Sequence, residues 1–152
     1  MIRVMKKYIL FDFDGVITSR RNSFMAPLYG RKPNLYGLEW FDPFCLVNLM
    51  RVSDEADADI IVSSPWRTLG HESLERLWKH NNVLRPWRFV GTTPAGAKRD
   101  AIEAWTAAHP DDRYVILDAE DLRLQNQVRT DPEIGLTLAN ARKAIAILNN
   151  ED

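Results

Sequence analysis

Short apolar runs alternate along this chain with stretches in which apolar side chains recur at helical spacing. The runs have the length of buried strands and end near turn-forming or acidic residues; they are Tyr8–Phe13, Asp59–Ser63, Trp87–Gly91 and Arg113–Asp118, with a shorter one at Gln127–Thr130. The amphipathic stretches are residues 43–56, 70–80, 97–108 and 137–149. This alternation predicts an α/β fold with a parallel sheet of about five strands and helices on both faces.

Residues 18–42 interrupt this alternation. They show no period and are rich in Arg, Asn, Pro, Gly and aromatic residues, which predicts a long irregular flap. Its basic and aromatic residues are interleaved: Arg20, Arg21, Arg31 and Lys32 with Tyr29, Tyr36 and Trp40. Such a mixture suits phosphates and stacked bases. A flap that is packed by its aromatic rings and solvated through its arginines explains the same composition at least as well.

The composition is that of an ordinary globular protein. The 152 residues are enough for one domain, which we place at residues 1–152. A content of 45% hydrophobic and 27% charged residues excludes a disordered tail or a collagen-like fibre. The net charge of −1 gives no overall basic field for nucleic acid. Residues 1–51 nevertheless hold eight Lys or Arg against four Asp or Glu, so a polyanion would bind on that side.

The sequence also bears on the compartment. No apolar run approaches the ~18–20 residues of a membrane span. The basic and apolar start lacks the small-residue cleavage site of a signal peptide. The single cysteine, Cys45, excludes an internal disulfide and a multi-cysteine zinc site. We therefore expect a cytoplasmic protein without membrane association.

Polar residues gather where the predicted strands end. Asp12 and Asp14 stand where the first strand ends, Ser63 and Gly91 end the second and third, and Asp118 ends the fourth. Ligands of open α/β sheets bind beyond the carboxyl ends of the strands. Carboxylates at that edge are the oxygen ligands that Mg²⁺ takes, together with phosphate and water. The sequence therefore predicts a cation site there, for which Mg²⁺ is suited.

These residues carry a resemblance to a known superfamily. The segment FDFDGVIT resembles the first motif of the haloacid dehalogenase (HAD) superfamily, in which DxD is followed by Gly and an apolar pair. The superfamily's later motifs are a Ser or Thr ending the second strand, a Lys near a later helix start and acids after the fourth strand. Ser63, Lys98 and Asp118 follow in that order. The segments IIVSSPWR, VGTTP, KRDAIEAW, YVILD and VRTDPEIGLT resemble the small HAD domains of the "Swiss Army Knife" RNA-repair group.

The resemblance implies a Rossmann-like three-layer sandwich and a Mg²⁺-dependent phosphatase that works through an aspartyl-phosphate. By this resemblance Asp12 is the nucleophile and Asp14 the general acid and base. Ser63 would donate a hydrogen bond to the phosphoryl group, and Lys98 would offset its charge. The implied metal ligands are Asp12, Asp14 and Asp118.

The chain departs from this group at the end of the fourth strand. The group tends to have two adjacent acids there, whereas the second position is Ala119 in this chain. Glu120 and Asp121 are the two candidates to replace the missing acid, directly or through water, and we predict Asp121 as the fourth metal ligand.

Three residues after the second strand are predicted to contact the substrate. Ser64 and Arg67 would contact the phosphate, and Trp66 would stack on the substrate. The alternatives are a helix cap for the serine, core packing for the tryptophan and a surface ion pair for the arginine.

The substrate class depends on the missing cap domain. HAD caps enter after the first motif, where residues 18–42 provide only a flap, or before the lysine, where residues 92–97 leave no room. By the family resemblance, an uncapped, open site implies a bulky substrate such as a protein or the terminal phosphate of RNA or DNA. The alternatives are a phosphatase of small metabolites or nucleotides, and a non-catalytic binding module with this fold. Retention of Asp12 together with Asp14 favours an enzyme, because binding alone needs no acid/base aspartate.

Overall fold

A computed structural model describes residues 4–81, 83 and 85–151. Its strands are β1 (Lys7–Phe11), β2 (Asp59–Val62), β3 (Phe89–Thr92), β4 (Arg113–Asp118) and β5 (Gln127–Arg129). Its α-helices are α1 (Arg20–Leu28), α2 (Pro43–Ala56), α3 (His71–His80), α4 (Lys98–Ala107) and α5 (Leu138–Leu148). The five strands form one parallel sheet in the order β3-β2-β1-β4-β5. The predicted α/β class and parallel sheet are confirmed.

Local capping explains why two helices begin where the sequence predicts. The Asp42 carboxylate accepts a hydrogen bond from the backbone N–H of Phe44, and Pro43 occupies the first turn of α2, where no N–H is needed. At α5, Thr137 and Asn140 each accept a hydrogen bond from the other's backbone N–H, which is a reciprocal capping box.

Strand side chains alternate between the two faces of the sheet, and each face packs against helices. On one face, strand residues such as Ile9 and Val62 form a large core with side chains from α2, α3 and α5. On the other face, Leu10 and Ile61 pack against Ile102 and Trp105 of α4, near Tyr8. The result is the expected three-layer sandwich.

The flap is not irregular throughout, which corrects the sequence-based expectation. It contains the nine-residue helix α1 and a short 3₁₀ turn at Leu35–Gly37. Ser19 caps α1 by accepting a hydrogen bond from the N–H of Asn22. Only Ala26 of this helix is buried, while Phe24 and Leu28 are exposed. Because α1 buries no apolar stripe, its sequence lacks the period that reveals the other helices.

The flap contributes no separate cap domain.

Among the residues that the structure describes, no helix is long and apolar enough to cross a membrane.

Candidate active site

The strand register places four polar residues side by side at the carboxyl edge of the sheet: Thr93, Ser63, Asp12 and Asp118. The backbone N–H groups of Asp12, Ser63 and Thr93 extend the sheet hydrogen bonding by donating to carbonyls at the ends of neighbouring strands, at 3.0–3.1 Å. The preceding residue in each strand belongs to the larger core or pairs with it in register. Because side chains alternate, the four polar side chains are directed toward the α4 face.

Lys98, the first residue of α4, meets this row with its ammonium group. Its Nζ donates to Asp12 Oδ2 at 2.9 Å and lies 3.1 Å from Asp118 Oδ2. Glu120 reaches the same ammonium from the surface at 3.4 Å. Asp12 and Asp118 are buried, so these ion pairs are poorly screened by solvent. The structure therefore brings the predicted nucleophile, lysine and fourth-strand acid together.

The pKa values reflect this concentration of charge. Burial alone would lower the pKa of Lys98, but attraction by Asp12 and Asp118 outweighs it, so its pKa is raised and the ammonium stays protonated. Burial first, and then repulsion from Asp12, raise the pKa of Asp118 to about 6. A cation held beside these carboxylates therefore stabilises their ionised form.

Asp14 lies on the turn after β1, where a glycine is required. Gly15 has a φ of +79°, and a Cβ there would come within 2.8 Å of the Ala119 side chain and 3.2 Å of Pro132. The turn leaves the Asp14 carboxyl at the surface. Its pKa is raised, first by desolvation from surrounding protein atoms and then by repulsion from Asp12 and Glu39. A carboxyl group with a raised pKa suits proton donation.

The hydroxyl groups of Ser63 and Thr93 are buried, and no partner for either is found among the described residues. An unpaired buried hydroxyl typically costs about 1–3 kcal/mol. Such a cost is retained where a ligand supplies the partner. Thr93 was not predicted; its position after β3, matching that of Ser63 after β2, is the signal that would have found it.

The donor set fits Mg²⁺. The carboxylates of Asp12 and Asp118 converge on one cation, the Lys98 ammonium. Asp118 Oδ2 is buried, and apart from this ion pair no hydrogen bond to it is found among the described residues. Within the described parts of the chain there is no preformed group of three or more His, Cys, Asp or Glu side chains for a metal. Mg²⁺ needs only one or two carboxylates, because substrate phosphate and water complete its ligands.

Asp121, the predicted fourth metal ligand, lies outside the group of carboxylates that contacts Lys98. Its carboxylate is exposed and accepts a hydrogen bond from the N–H of Arg123 at 3.1 Å. Asp118 accepts one from the N–H of Glu120 at 2.9 Å, which folds the chain so that Glu120 faces Lys98. Of the two candidate acids, the structure brings only Glu120 to the site.

Ser64 and Arg67, the predicted phosphate contacts, are buried, and the side chain of each forms hydrogen bonds with the backbone. Ser64 Oγ accepts a hydrogen bond from the N–H of Trp66 and caps the 3₁₀ turn Pro65–Leu69. The Arg67 guanidinium donates to the carbonyl oxygens of Ser64, Pro94 and Gly96 at 2.7–3.2 Å. Arg67 therefore ties the segment after β2 to the loop that leads into α4.

Trp66 does lie beside the site. It lines a cavity of about 350 Å³ that also borders Asp14, with Leu38 and Glu39 of the flap on another wall. The flap thus forms one side of the site.

The flap cations are mostly engaged within the protein. Arg20 pairs with Glu133, Arg21 pairs with Asp42, and the Arg31 guanidinium lies 4.1 Å from the centre of the Trp40 ring. Of the two readings of the flap composition, these contacts favour internal packing and ion pairing.

Comparison with known families agrees with this site. Residues 8–141 match the family described as the HAD domain in Swiss Army Knife RNA repair proteins. No curated protein matches the chain. The match covers most of the chain, from β1 into α5, and includes all the strand ends that form the site. The chain therefore belongs to the family of HAD domains in Swiss Army Knife RNA repair proteins.

Proposed function

We propose that this protein is a Mg²⁺-dependent phosphatase that forms an aspartyl-phosphate on Asp12. The observation that carries the proposal is the Lys98 ammonium bridging the buried carboxylates of Asp12 and Asp118. The buried Ser63 hydroxyl, for which the described part of the chain offers no partner, lies next to Asp12. Carboxylate nucleophile, cation and hydroxyl donor are the groups that phosphoryl transfer requires. Membership of the HAD family supports the same chemistry.

In the first step, an Asp12 carboxylate oxygen attacks phosphorus while the bond from phosphorus to the ester oxygen breaks. The N–H of Phe13 donates to Asp12 Oδ1 at 2.8 Å and Lys98 donates to Oδ2, so the carboxylate is held in one orientation. Asp14 gives its proton to the leaving oxygen, and its raised pKa favours the protonated form needed for that transfer.

In the second step, Asp14 accepts a proton from water, and the water oxygen attacks phosphorus. The bond from phosphorus to Asp12 breaks and inorganic phosphate leaves. Ser63 and Lys98 donate hydrogen bonds to the phosphoryl oxygens in both steps, which offsets their negative charge.

Magnesium would be held by the Asp12 and Asp118 carboxylates together with the backbone carbonyl of Asp14. When bound, the ion neutralises the incoming phosphate and keeps it in line with the nucleophile. Glu120 is a further candidate for this role through water, in place of Asp121.

The proposed substrate is a terminal phosphate of RNA or DNA. The RNA-repair context of the family supports this class. The described residues also form no cap domain over the site. A phosphatase of nucleotides or small metabolites is the second candidate, because the internally paired flap arginines weaken the case for a polyanion surface.

A substrate panel tests this choice. Phosphate release from 5′- and 3′-phosphorylated oligonucleotides is compared with release from the matching mononucleotides at equal Mg²⁺ concentration. We expect kcat/KM to be at least about tenfold higher for one of the oligonucleotide ends, which is about 1.4 kcal/mol of transition-state binding. A clear preference for mononucleotides would contradict the end-processing proposal and favour the second candidate.

Arg67→Met is expected to lower kcat about tenfold and the free energy of unfolding by about 2 kcal/mol. The guanidinium holds the carbonyls of Pro94 and Gly96, and Gly96 lies two residues before Lys98. Without it, the lysine loses its fixed position. Amide hydrogen exchange should quicken at residues 97–101. Arg67→Lys should restore little of the lost activity, since one ammonium cannot reach the carbonyls of Ser64, Pro94 and Gly96 together. A normal exchange rate with lowered activity would mean that Arg67 contacts the substrate instead.

A further inference from the structure

The cavity beside Asp14 lies on one side of the proposed reaction. It is lined by Asp14 and not by Ser63 or Lys98, which face the phosphoryl group. Asp14 is the group that would protonate the leaving oxygen. The cavity is therefore placed to receive the leaving group, and this assignment rests on the proposed function.

The polar groups of the cavity wall are mostly committed elsewhere. The Thr18 hydroxyl donates to the carbonyl of Phe13, and the Ser19 hydroxyl donates to Asp42 at 2.6 Å. Arg20 is paired with Glu133. By contrast, no hydrogen bond or ion pair to the exposed Glu39 carboxylate is found in the described parts of the chain. The carboxyl groups of Glu39 and Asp14 are thus among the groups that the cavity offers to a ligand.

The remaining wall is apolar and partly flat. The half-buried Trp66 indole, Leu38 and Pro132 supply it. The backbone at Glu39 is held in place, because the carbonyl of this residue accepts a hydrogen bond from the buried side chain of Asn34 at 3.0 Å. The cavity thus combines carboxyl hydrogen-bond acceptors with a surface on which a ring can stack.

We propose that this cavity binds a hydroxyl-bearing leaving group of the ribose type, with Glu39 accepting a hydrogen bond from a sugar hydroxyl and Trp66 packing against an adjoining ring. A carboxylate can only accept hydrogen bonds, so its ligand must donate them. A second phosphate in this cavity would instead meet the negative charge of Glu39. Glu39 is accordingly a specificity-determining residue for the alcohol that leaves.

The first test pairs adenosine 5′-monophosphate with its 2′,3′-dideoxy analogue. The wild-type protein should prefer the hydroxylated substrate by about five- to tenfold in kcat/KM, as expected for a hydrogen bond to a charged group that is partly exposed to water. Glu39→Ala should reduce the ratio to about one, and Glu39→Gln should give an intermediate ratio. Glu55→Ala is the matched control, because Glu55 is an exposed acid on α2 that does not line the cavity. It should keep the wild-type ratio.

A second measurement needs no turnover. Adenosine and 2′,3′-dideoxyadenosine are titrated while the indole N–H signal of Trp66 is followed by NMR, assigned with Trp66→Phe. Adenosine should shift that signal at a lower concentration, and the difference should vanish in Glu39→Ala. Oligonucleotides ending in a ribose or a 2′,3′-dideoxyribose then show whether the sugar belongs to a strand end or a free nucleotide.

The outcomes separate this inference from the proposed function. Turnover of an aryl phosphate that depends on Asp12, without any hydroxyl preference in either measurement, would overturn the sugar subsite and leave the phosphatase intact. No turnover of any phosphate, with a hydroxyl-dependent Trp66 shift, would leave the subsite standing and reject the phosphatase. A wild-type ratio retained in Glu39→Ala would show that Glu39 does not read the hydroxyl.

Discussion

Replacing Asp12 with asparagine should lower Mg²⁺-dependent phosphate release from an aryl phosphate by about 10⁴-fold, or about 5.5 kcal/mol of barrier. Asparagine has the same shape, but its amide is not a nucleophile that can form the acyl-phosphate. The change also removes the negative charge that holds the Lys98 ammonium at 2.9 Å, so the lysine is left with Asp118 and Glu120. The loss should appear in kcat, because the missing interaction is made in the reaction itself.

Asp54→Asn is the matched control for this variant. Asp54 is an exposed carboxylate of α2 that pairs with Arg85, and its replacement should change kcat by less than about twofold. Circular dichroism checks that both variants fold. Turnover that is the same in wild type and Asp12→Asn would exclude the aspartyl-phosphate mechanism. No turnover even in the wild-type protein would instead favour the non-catalytic binding module.

The second large effect is expected for Lys98→Met, with kcat/KM lowered about 10³-fold, or about 4.1 kcal/mol. The ammonium offsets the charge of two buried carboxylates and of the phosphoryl oxygens. Methionine fills similar space without the charge, so phosphate would approach uncompensated anions. The loss is measured by steady-state kinetics at saturating Mg²⁺, so that weaker metal binding does not account for it.

Arg99→Met separates a local charge effect from a general one. Arg99 is the next residue on α4 and is half-exposed, and its guanidinium pairs with Glu103 at 3.0 Å. We expect a change of less than about threefold. If Lys98→Met also changed turnover by less than threefold, another cation would hold its role, and the present assignment would be wrong.

Local sequence predicted most of the fold because its signals are short-range. α2 occupies Pro43–Ala56 and β4 occupies Arg113–Asp118, as the pattern indicates, since caps, prolines and apolar runs act within one element. Helix α1 was not predicted, because Ala26 is its only buried residue. A helix shows apolar residues at helical spacing only where one of its faces is buried. Whether a face is buried depends on the elements that pack against the helix as well as on the helix itself.

The site divides in the same way. Five site residues could be named from the sequence, because each stands next to a strand end or a helix start. Parallel strands bring those ends to one edge of the sheet. The five are Asp12, Asp14, Ser63, Lys98 and Asp118. The sequence did not show which of the two neighbouring acids, Glu120 or Asp121, turns toward Lys98. A hydrogen bond from the N–H of Glu120 to Asp118 selects Glu120 over Asp121.

The sequence by itself determined the chain order of the five strands and of every α-helix except α1, and the groups available at the strand ends. Only the tertiary structure decided where the side chains between those ends go. Arg67 was expected at a phosphate, but it meets the carbonyls of Pro94 and Gly96, which lie about thirty residues away in the chain. Glu39 reaches the cavity only because the flap folds back over the turn that carries Asp14. Such contacts depend on loop paths, and a loop path is fixed by packing of the whole chain rather than by local propensity.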